Sequence, residues 1–125
     1  MTPAGERRTK AISRVLVVED DYFIARDLAD MLKRIGLEVV GPASRIDAAL
    51  TLIATAAPDA AMLDVNLQGE RVFPLADELA KQGIPFLFVT GYDASDLPAA
   101  YRHVPRVEKP YQQNVLSAAL GALRG

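Results

Sequence analysis

Apolar and polar positions divide most of the chain into short apolar runs that alternate with longer amphipathic segments. Residues 15–18 are four consecutive valine or leucine residues, which is typical of a strand buried on both faces of a sheet. From residue 22 to residue 35, apolar side chains recur every three or four positions, which predicts an amphipathic helix. Gly36 then stands where a glycine commonly follows the last turn of a helix.

The same alternation continues to the end of the chain. Ser44, with Asp47 three residues later, is interpreted as a capping box that opens the second helix. Pro98 interrupts the segment 93–101, which is therefore expected to contain at most a short helix. The remaining apolar patterns predict strands at 37–40, 60–63, 86–89 and 104–108, and helices near 72–79 and 111–123. Five strands that alternate with helices predict an α/β fold, a parallel sheet with helices on both faces.

The length of 125 residues corresponds to one domain of ordinary size. Residues 1–13 are polar with a small basic cluster, and we expect a disordered N-terminal lead-in there, followed by a single folded domain at 14–125. The lead-in lacks the apolar stretch of a secretory signal, and no run approaches the roughly 18 apolar residues of a membrane span. A cytoplasmic protein without a membrane association is therefore expected.

The composition excludes several kinds of chemistry. There are no cysteines, so disulfides, thiolate metal sites and cysteine nucleophiles are excluded. Fourteen Lys and Arg residues against sixteen Asp and Glu residues give a net charge of -2, so nucleic acid is not an expected partner. A bound metal would need oxygen ligands or His103, the single histidine.

Polar and charged residues stand where the predicted strands end. The first strand runs into the acidic residues 19–21, the third ends at Asp64, the fourth at Thr90, and the fifth next to Lys109. In an open parallel sheet, ligands bind at the carboxyl ends of the strands, so these side chains are expected to lie close together. They are the candidate functional residues of the chain.

A cluster of carboxylates needs compensation. Two carboxylates about 5 Å apart at an effective dielectric constant near 20 repel each other by about 3 kcal/mol. Lys109 would supply one positive charge, and a site made only of oxygen ligands suits Mg²⁺. A carboxylate can also act as a nucleophile toward phosphorus and form an aspartyl phosphate.

Four sequence blocks, VLVVEDD, MLDVNL, FVTGY and VEKP, occur in this order at the strand ends. They resemble the signature blocks of a response-regulator receiver domain, and the resemblance extends from Arg14 to the C-terminus. It implies a flavodoxin-like (βα)5 receiver fold, a doubly wound five-stranded parallel sheet with strand order 2-1-3-4-5. A short or degenerate fourth helix is expected in this chain.

The resemblance also implies which residues bind the metal. Asp64 would accept a phosphoryl group and bind Mg²⁺, and Asp20 would be a direct Mg²⁺ ligand. Glu19 would act on the metal through water, and Asn66 would contribute its backbone carbonyl.

Two further residues would contact the phosphoryl group, Thr90 through its hydroxyl and Lys109 through its ammonium. The bond before Pro110 is usually cis in this family. The chain departs from the family three residues before the lysine, where Arg106 replaces the usual aromatic switch residue. The segment PFLFVTGY is similar to the "FATGUY" subfamily of single-domain response regulators, which suggests an alphaproteobacterial stress or cell-cycle pathway.

The expected function is that of a two-component response regulator without an effector domain. A histidine kinase or a histidine phosphotransfer protein would donate the phosphoryl group, and the chain would signal through protein contacts or drain phosphate within a relay. We expect a monomer or weak dimer with no enzymatic activity beyond transfer to its own Asp64. Tyr92 or Tyr101 would report phosphorylation in place of the missing aromatic residue, or serve as a core or interface residue.

Three alternatives remain open at this point. A haloacid-dehalogenase-like, Mg²⁺-dependent phosphatase also uses an aspartate nucleophile, but it needs a second carboxylate two residues later, where this chain has Asn66. A flavodoxin-like cofactor binder needs a phosphate-binding loop after the first strand, and the acidic residues 19–21 would repel phosphate. The third alternative is a receiver that acts without phosphorylation.

Overall fold

The computed structural model describes residues 12–91, 97–109 and 112–124. Most of the predicted lead-in, Tyr92 and Pro110 lie outside these described residues. The elements, in chain order, are β1 (Arg14–Val18), α1 (Tyr22–Arg34), β2 (Glu38–Ala43), α2 (Ile46–Ala56), β3 (Ala60–Asp64), β4 (Asn66–Leu67), β5 (Glu70–Arg71), α3 (Phe73–Lys81), β6 (Phe86–Thr90), a 3-10 turn (Ala99–Tyr101), β7 (Arg106–Glu108) and α4 (Gln113–Arg124).

Five strands form one sheet in the order β2-β1-β3-β6-β7, and every neighbouring pair is parallel. Strands β4 and β5 form a separate antiparallel pair. Without that small hairpin, the order is the predicted 2-1-3-4-5, which confirms the fold class.

Alternate side chains of the central strands bury into two separate cores. One core lies between the sheet and helices α2 and α3, and it contains Leu16, Leu63 and Phe88. The other lies between the sheet and helices α1 and α4, and it contains Val17 and Met62. Both faces of β1 and β3 are buried, which explains their uninterrupted apolar sequences.

Helix α1 begins as the sequence indicates. The side chain of Asp21 accepts hydrogen bonds from the backbone N–H groups of Phe23 and Ile24, at 2.9 and 3.0 Å.

The predicted capping box of α2 is wrong. That helix is preceded by Arg45, which makes no side-chain cap, and Asp47 lies in the first turn, where it contacts Arg45 and the N–H of Ala48. Ser44 therefore precedes the cap position.

Several element boundaries differ from the sequence prediction. Strand β2 continues to Ala43, beyond the predicted end at Val40, and β7 begins only at Arg106. Between β6 and β7, the described residues contain a single 3-10 turn instead of a full helix, which confirms the degenerate fourth helix for that part of the chain. None of the described helices combines the length and hydropathy needed to cross a bilayer.

Candidate functional site

Four neighbouring strands deliver the candidate residues to one edge of the sheet. Glu19 directly follows β1, Asp64 ends β3, Thr90 ends β6, and Lys109 directly follows β7. Since these strands are adjacent and parallel, their carboxyl ends lie side by side. The structure therefore brings together the side chains that the sequence singles out.

Three carboxylates form the centre of the site. Glu19, Asp20 and Asp64 each place one oxygen within 4.8 Å of the others. Glu19 is only 3% exposed and Asp64 only 8%, whereas Asp20 is half-buried. An oxygen-only donor set that is partly open to solvent suits a hard cation that keeps some of its water, as Mg²⁺ does. The residues present therefore fit the predicted metal.

Glu19 is held in place from two sides. Its N–H donates to the carbonyl of Ala43 at 2.9 Å, and its Oε2 accepts from the N–H of Asp21 at 3.1 Å. Gly41, two residues before Ala43, has a φ of 93°, a conformation that glycine adopts readily. A Cβ at this glycine would lie 2.8 Å from the nitrogen of Ala43, so a side chain there would displace the end of β2.

Lys109 bridges two of the three carboxylates. Its Nζ lies 2.7 Å from Oε1 of Glu19 and 3.5 Å from Oδ2 of Asp64. Its backbone N–H donates to the carbonyl of Thr90 at 2.8 Å, which fixes the start of the lysine side chain against β6. The ammonium therefore compensates part of the negative charge, and it is closer to Glu19 than to Asp64.

The charges of the site alter two pKa values. Burial and, to a smaller extent, a hydrogen bond with Asp64 raise the pKa of Glu19 to about 7, even though Lys109 and the N–H of Asp21 lower it. Burial by itself lowers the pKa of Lys109, but the ion pairs with Glu19 and Asp64 outweigh this effect, so the pKa is raised. One lysine thus does not fully compensate three carboxylates.

Asn66 approaches Asp64 through its backbone. Its N–H lies 3.4 Å from Oδ1 of Asp64, and its side-chain oxygen accepts from the N–H of Gly69 at 3.2 Å. The turn between β4 and β5 has positive φ values of 52° at Gln68 and 87° at Gly69. The sequence analysis missed this hairpin, although a glycine that follows a polar residue is a recognised signal for such a turn.

Thr90 is buried at the end of β6, on the strand that neighbours Asp64. This is the position that the resemblance assigns to the hydroxyl residue. Arg106, in contrast, is exposed on β7, where the family usually has an aromatic side chain.

An aromatic residue does pack nearby, from another part of the chain. Tyr101 is half-buried and stacks on Phe73 of α3, with ring centroids 5.7 Å apart and an angle of 10° between the rings. It also makes edge contacts with Phe86 and Phe88, and its hydroxyl donates to Asp77. Tyr101 thus attaches the 3-10 turn to α3.

Residues 15–120 match the sequence model of the family described as "Response regulator receiver domain". The chain belongs to this family. As a receiver domain it is 35% identical over 85 residues to the transcriptional regulatory protein PdtaR of Mycobacterium tuberculosis, covering 67% of this chain and 42% of PdtaR. It is 35% identical over 128 residues to nodulation protein W of Bradyrhizobium diazoefficiens, covering 94% of this chain and 53% of that protein. The receiver chain spans about half the length of these curated relatives.

Solved receiver structures have the same fold. The solution structure of SdrG from Sphingomonas melonis Fr1 matches with a TM-score of 0.82 at 36% identity, covering 91% of this chain and 98% of SdrG. The response regulator PhyR from Brucella abortus matches with a TM-score of 0.77 at 30% identity, covering 97% of this chain and 51% of PhyR. The narrower resemblance to the FATGUY subfamily stays a prediction.

Proposed function

We propose that this receiver domain accepts a phosphoryl group on Asp64 from the phosphohistidine of a histidine kinase or a histidine phosphotransfer protein. The observation that carries the proposal is the position of the Lys109 ammonium between Glu19 and Asp64, beside a cluster of three carboxylates. A carboxylate oxygen of Asp64 would form a bond to phosphorus while the bond from phosphorus to the imidazole nitrogen breaks. The released imidazole then retains or takes up a proton according to the pH.

Mg²⁺ is the cofactor that the site fits. Asp20, Asp64 and the carbonyl of Asn66 would bind it directly, and Glu19 would act through water. The raised pKa of Glu19 supports this assignment, because it indicates a shortage of positive charge that a divalent cation would remove. When bound, Mg²⁺ would neutralise part of the charge on the transferring phosphoryl oxygens.

Two protein groups would stabilise the phosphorylated state. Lys109 would exchange its 2.7 Å contact with Glu19 for a contact with the new phosphoryl oxygens. Thr90 would donate its hydroxyl to the same oxygens from the adjacent strand. The aspartyl phosphate would carry a charge of about -2 in place of the single negative charge of the carboxylate, so electrostatic attraction would drive both movements. The resulting change near β6 and β7 would alter binding of a downstream protein or allow the chain to act within a phosphorelay.

Labelling by acetyl phosphate tests the phosphoacceptor assignment directly. The wild-type chain with Mg²⁺ should gain one phosphoryl group by intact mass, and Asp64→Asn should gain none, because the amide is not a nucleophile toward phosphorus. Asp59→Asn is the matched control for an aspartate outside the site, although Asp59 accepts hydrogen bonds from Ser13 and Arg14. Labelling that survives Asp64→Asn would contradict the assignment.

The same protein distinguishes a receiver from a phosphatase. We propose that the chain transfers phosphate only to itself, since Asn66 offers no carboxylate that could act as a general acid two residues after Asp64. Incubation with a phosphate ester and Mg²⁺ should therefore release no more than about one phosphate per chain over the whole assay. Sustained release over many equivalents would favour the haloacid-dehalogenase-like alternative.

A further inference from the structure

The hairpin formed by β4 and β5 follows Asp64, and its register determines which side chains lie beside the site. Both residues of its turn, Gln68 and Gly69, have a positive φ, which is typical of a two-residue type I′ turn. In such a hairpin the residues that flank the turn, here Leu67 and Glu70, form a hydrogen-bonded pair. The next pair is therefore of the closely spaced type without hydrogen bonds between its two residues.

That closely spaced pair consists of Asn66 and Arg71. The N–H of Val72 donates to the carbonyl of Val65 at 3.0 Å, so hydrogen bonding resumes one pair further on, as the alternation requires. The backbone N–H of Asn66 points away from β5 and lies 3.4 Å from Oδ1 of Asp64. In a pair of this type the Cα atoms are about 4.5 Å apart and both side chains leave the same face. Arg71 is thus the cross-strand neighbour of the residue whose backbone contacts Asp64.

The two faces of the hairpin differ in burial. Leu67 is 3% exposed and belongs to the core between the sheet and helices α2 and α3. Asn66 and Arg71 leave the opposite face, and both are exposed. Within the described ranges, no carboxylate forms an ion pair with the guanidinium of Arg71. This cation is therefore available to an anionic group that arrives at the rim of the site.

The site is short of positive charge at the stage when the proposed reaction adds negative charge. Among the described residues, the ammonium of Lys109 is the one basic group that pairs with Glu19 and Asp64. Phosphorylation would bring the charge on Asp64 to about -2, so that even with Mg²⁺ bound about one negative charge would remain uncompensated. A guanidinium suits this charge, because its planar set of donors matches the geometry of phosphoryl oxygens.

We propose that Arg71 binds the phosphoryl group, first on the donor and then on Asp64, by donating hydrogen bonds to phosphoryl oxygens from the hairpin side of the site. This inference rests on the proposed phosphotransfer and adds a residue to it. The bond from phosphorus to the donor breaks while the bond to the carboxylate of Asp64 forms, and Arg71 keeps its protons throughout. Its contribution is to attract the anionic donor and to stabilise the charge on the transferring oxygens.

Acetyl phosphate labelling in the presence of Mg²⁺ measures this contribution. Well below saturation with acetyl phosphate, Arg71→Gln should be labelled about tenfold more slowly than the wild type, because a charge-assisted contact is lost. Arg71→Lys keeps the charge without the planar donors, so its rate should lie between the two. Affinity for BeF₃⁻, which binds to the aspartate as a mimic of the phosphoryl group, should fall in Arg71→Gln by a similar factor.

A neighbouring charge provides the matched control. Glu70→Gln also changes one charge on β5, but its side chain leaves the other face of the hairpin. If Arg71 acted only through the long-range field, Glu70→Gln would accelerate labelling as much as Arg71→Gln slows it, and salt would suppress both effects. A direct contact predicts a change of less than about twofold in Glu70→Gln. Lys81→Gln removes a positive charge at the far end of α3 and should be labelled as the wild type is.

Mg²⁺ affinity without a phosphoryl donor separates binding by Arg71 from support of the hairpin. If Arg71 only held the hairpin in place, Arg71→Gln would also displace Asn66, and Mg²⁺ affinity would fall together with labelling. Direct binding of the phosphoryl group predicts a Mg²⁺ affinity within about twofold of the wild type.

The outcomes separate this inference from the phosphotransfer on which it rests. A labelling rate of Arg71→Gln equal to that of the wild type would overturn the role of Arg71 and leave phosphorylation of Asp64 intact. An equal loss of Mg²⁺ affinity, or an acceleration in Glu70→Gln as large as the loss in Arg71→Gln, would overturn it as well. If the wild type itself gains no phosphoryl group, the proposed phosphotransfer fails, and the role of Arg71 fails with it.

Discussion

The two sides of the site differ in how firmly the fold holds them. Strands β1 and β3 are buried along almost their whole length. The N–H groups of Asp21 and Asn66 contact the carboxylates of Glu19 and Asp64, and the carbonyl of Ala43 accepts from the N–H of Glu19. Strand β7 has three residues, and the described residues between β6 and β7 contain a 3-10 turn but no longer helix. The acidic side therefore has a rigid geometry suited to binding a metal, whereas the side that carries Lys109 is built from elements that can move at lower cost.

The difference indicates where this chain departs from its family. The acidic residues follow the family pattern, while the position of the usual aromatic switch residue is occupied by the exposed Arg106. Tyr101 packs on Phe73 instead, eight residues before Lys109. The proposed chemistry thus uses residues that match the family pattern, whereas the part of the molecule that would respond to it departs from that pattern.

Removal of Asp20, a proposed metal ligand on the side formed by β1 and β3, should have the largest effect, and the property affected is Mg²⁺ binding. Asp20→Ala deletes one of three carboxylates within 4.8 Å, and we expect Mg²⁺ binding to be lost at concentrations that saturate the wild type. Isothermal titration calorimetry measures this directly. Asp27→Ala removes the same charge from an exposed position on α1 and should leave Mg²⁺ affinity within about twofold. Equal affinities of the two variants would contradict the ligand assignment.

The buried carboxylate on the same side should make stability depend on pH. Folding raises the pKa of Glu19 from 4.5 to about 7, so between these values the folded chain retains a proton that the unfolded chain has lost. Without metal, the contribution of Glu19 to the free energy of unfolding therefore decreases as the pH rises through this window, by on the order of 3 kcal/mol. Lys109, whose raised pKa lies above this window, stays protonated in both states and does not change the slope.

Glu19→Gln isolates this contribution. Urea denaturation at about pH 5 and about pH 7.5 should show a smaller loss of stability in the variant than in the wild type, because the amide does not titrate. Mg²⁺ should recover more of the lost stability in the wild type than in the variant at the higher pH. If the free energy of unfolding of Glu19→Gln differs between the two pH values as much as that of the wild type, other groups cause the pH dependence of stability.

A smaller effect is expected on the side that carries Tyr101. Tyr101→Phe keeps the ring that stacks on Phe73 and removes the hydroxyl that donates to Asp77, so the free energy of unfolding should fall by about 1 kcal/mol. Tyr101→Leu also removes the aromatic contacts and should cost about 1 kcal/mol more. Thermal denaturation measures both changes. The double variant Asp77→Asn with Tyr101→Phe should lower the free energy of unfolding by no more than the sum of the two single substitutions. A clear deficit of Tyr101→Phe in acetyl phosphate labelling would contradict a purely structural role of Tyr101.

The side of the site formed by β1 and β3 was predicted from the sequence more accurately than the side that carries Lys109. Uninterrupted apolar residues in β1 and β3 predicted these strands to within about one residue, and the apolar spacing from residue 22 to residue 35 predicted α1 with similar accuracy. The hairpin β4–β5 was missed because it depends on positive φ values at only two residues. The extension of β2 was missed because Gly41 and Pro42 are typical of a strand end, whereas the pairing with β1 is irregular at these two residues and resumes at Ala43.

Tertiary contacts account for the rest. The sequence did not decide whether Tyr101 is a core or an interface residue, because no feature of the neighbouring sequence predicts that Phe73 of α3 packs against its ring. The sequence predicted that Lys109 lies near the acidic residues, because all of them stand at strand ends, but it did not predict which ion pairs form. Distances between strands that are far apart in the sequence depend on the order of strands in the sheet. The residues were thus identifiable from the sequence, while the closer approach of Lys109 to Glu19 than to Asp64 required the structure.

The smallest effect on the chemistry is expected at Arg106. The residue lies on β7 with its side chain exposed, three residues before Lys109, and neither ion pair of the site involves it. Arg106→Tyr introduces the aromatic side chain that the family usually has, and acetyl phosphate labelling of Asp64 should stay within about twofold of the wild type, because both the nucleophile and the lysine are unchanged. Binding of a downstream protein near β7 should change, since the arginine charge is lost. A labelling defect as large as that of Lys109→Ala, with unchanged binding of that protein, would show that β7 belongs to the catalytic side of the molecule.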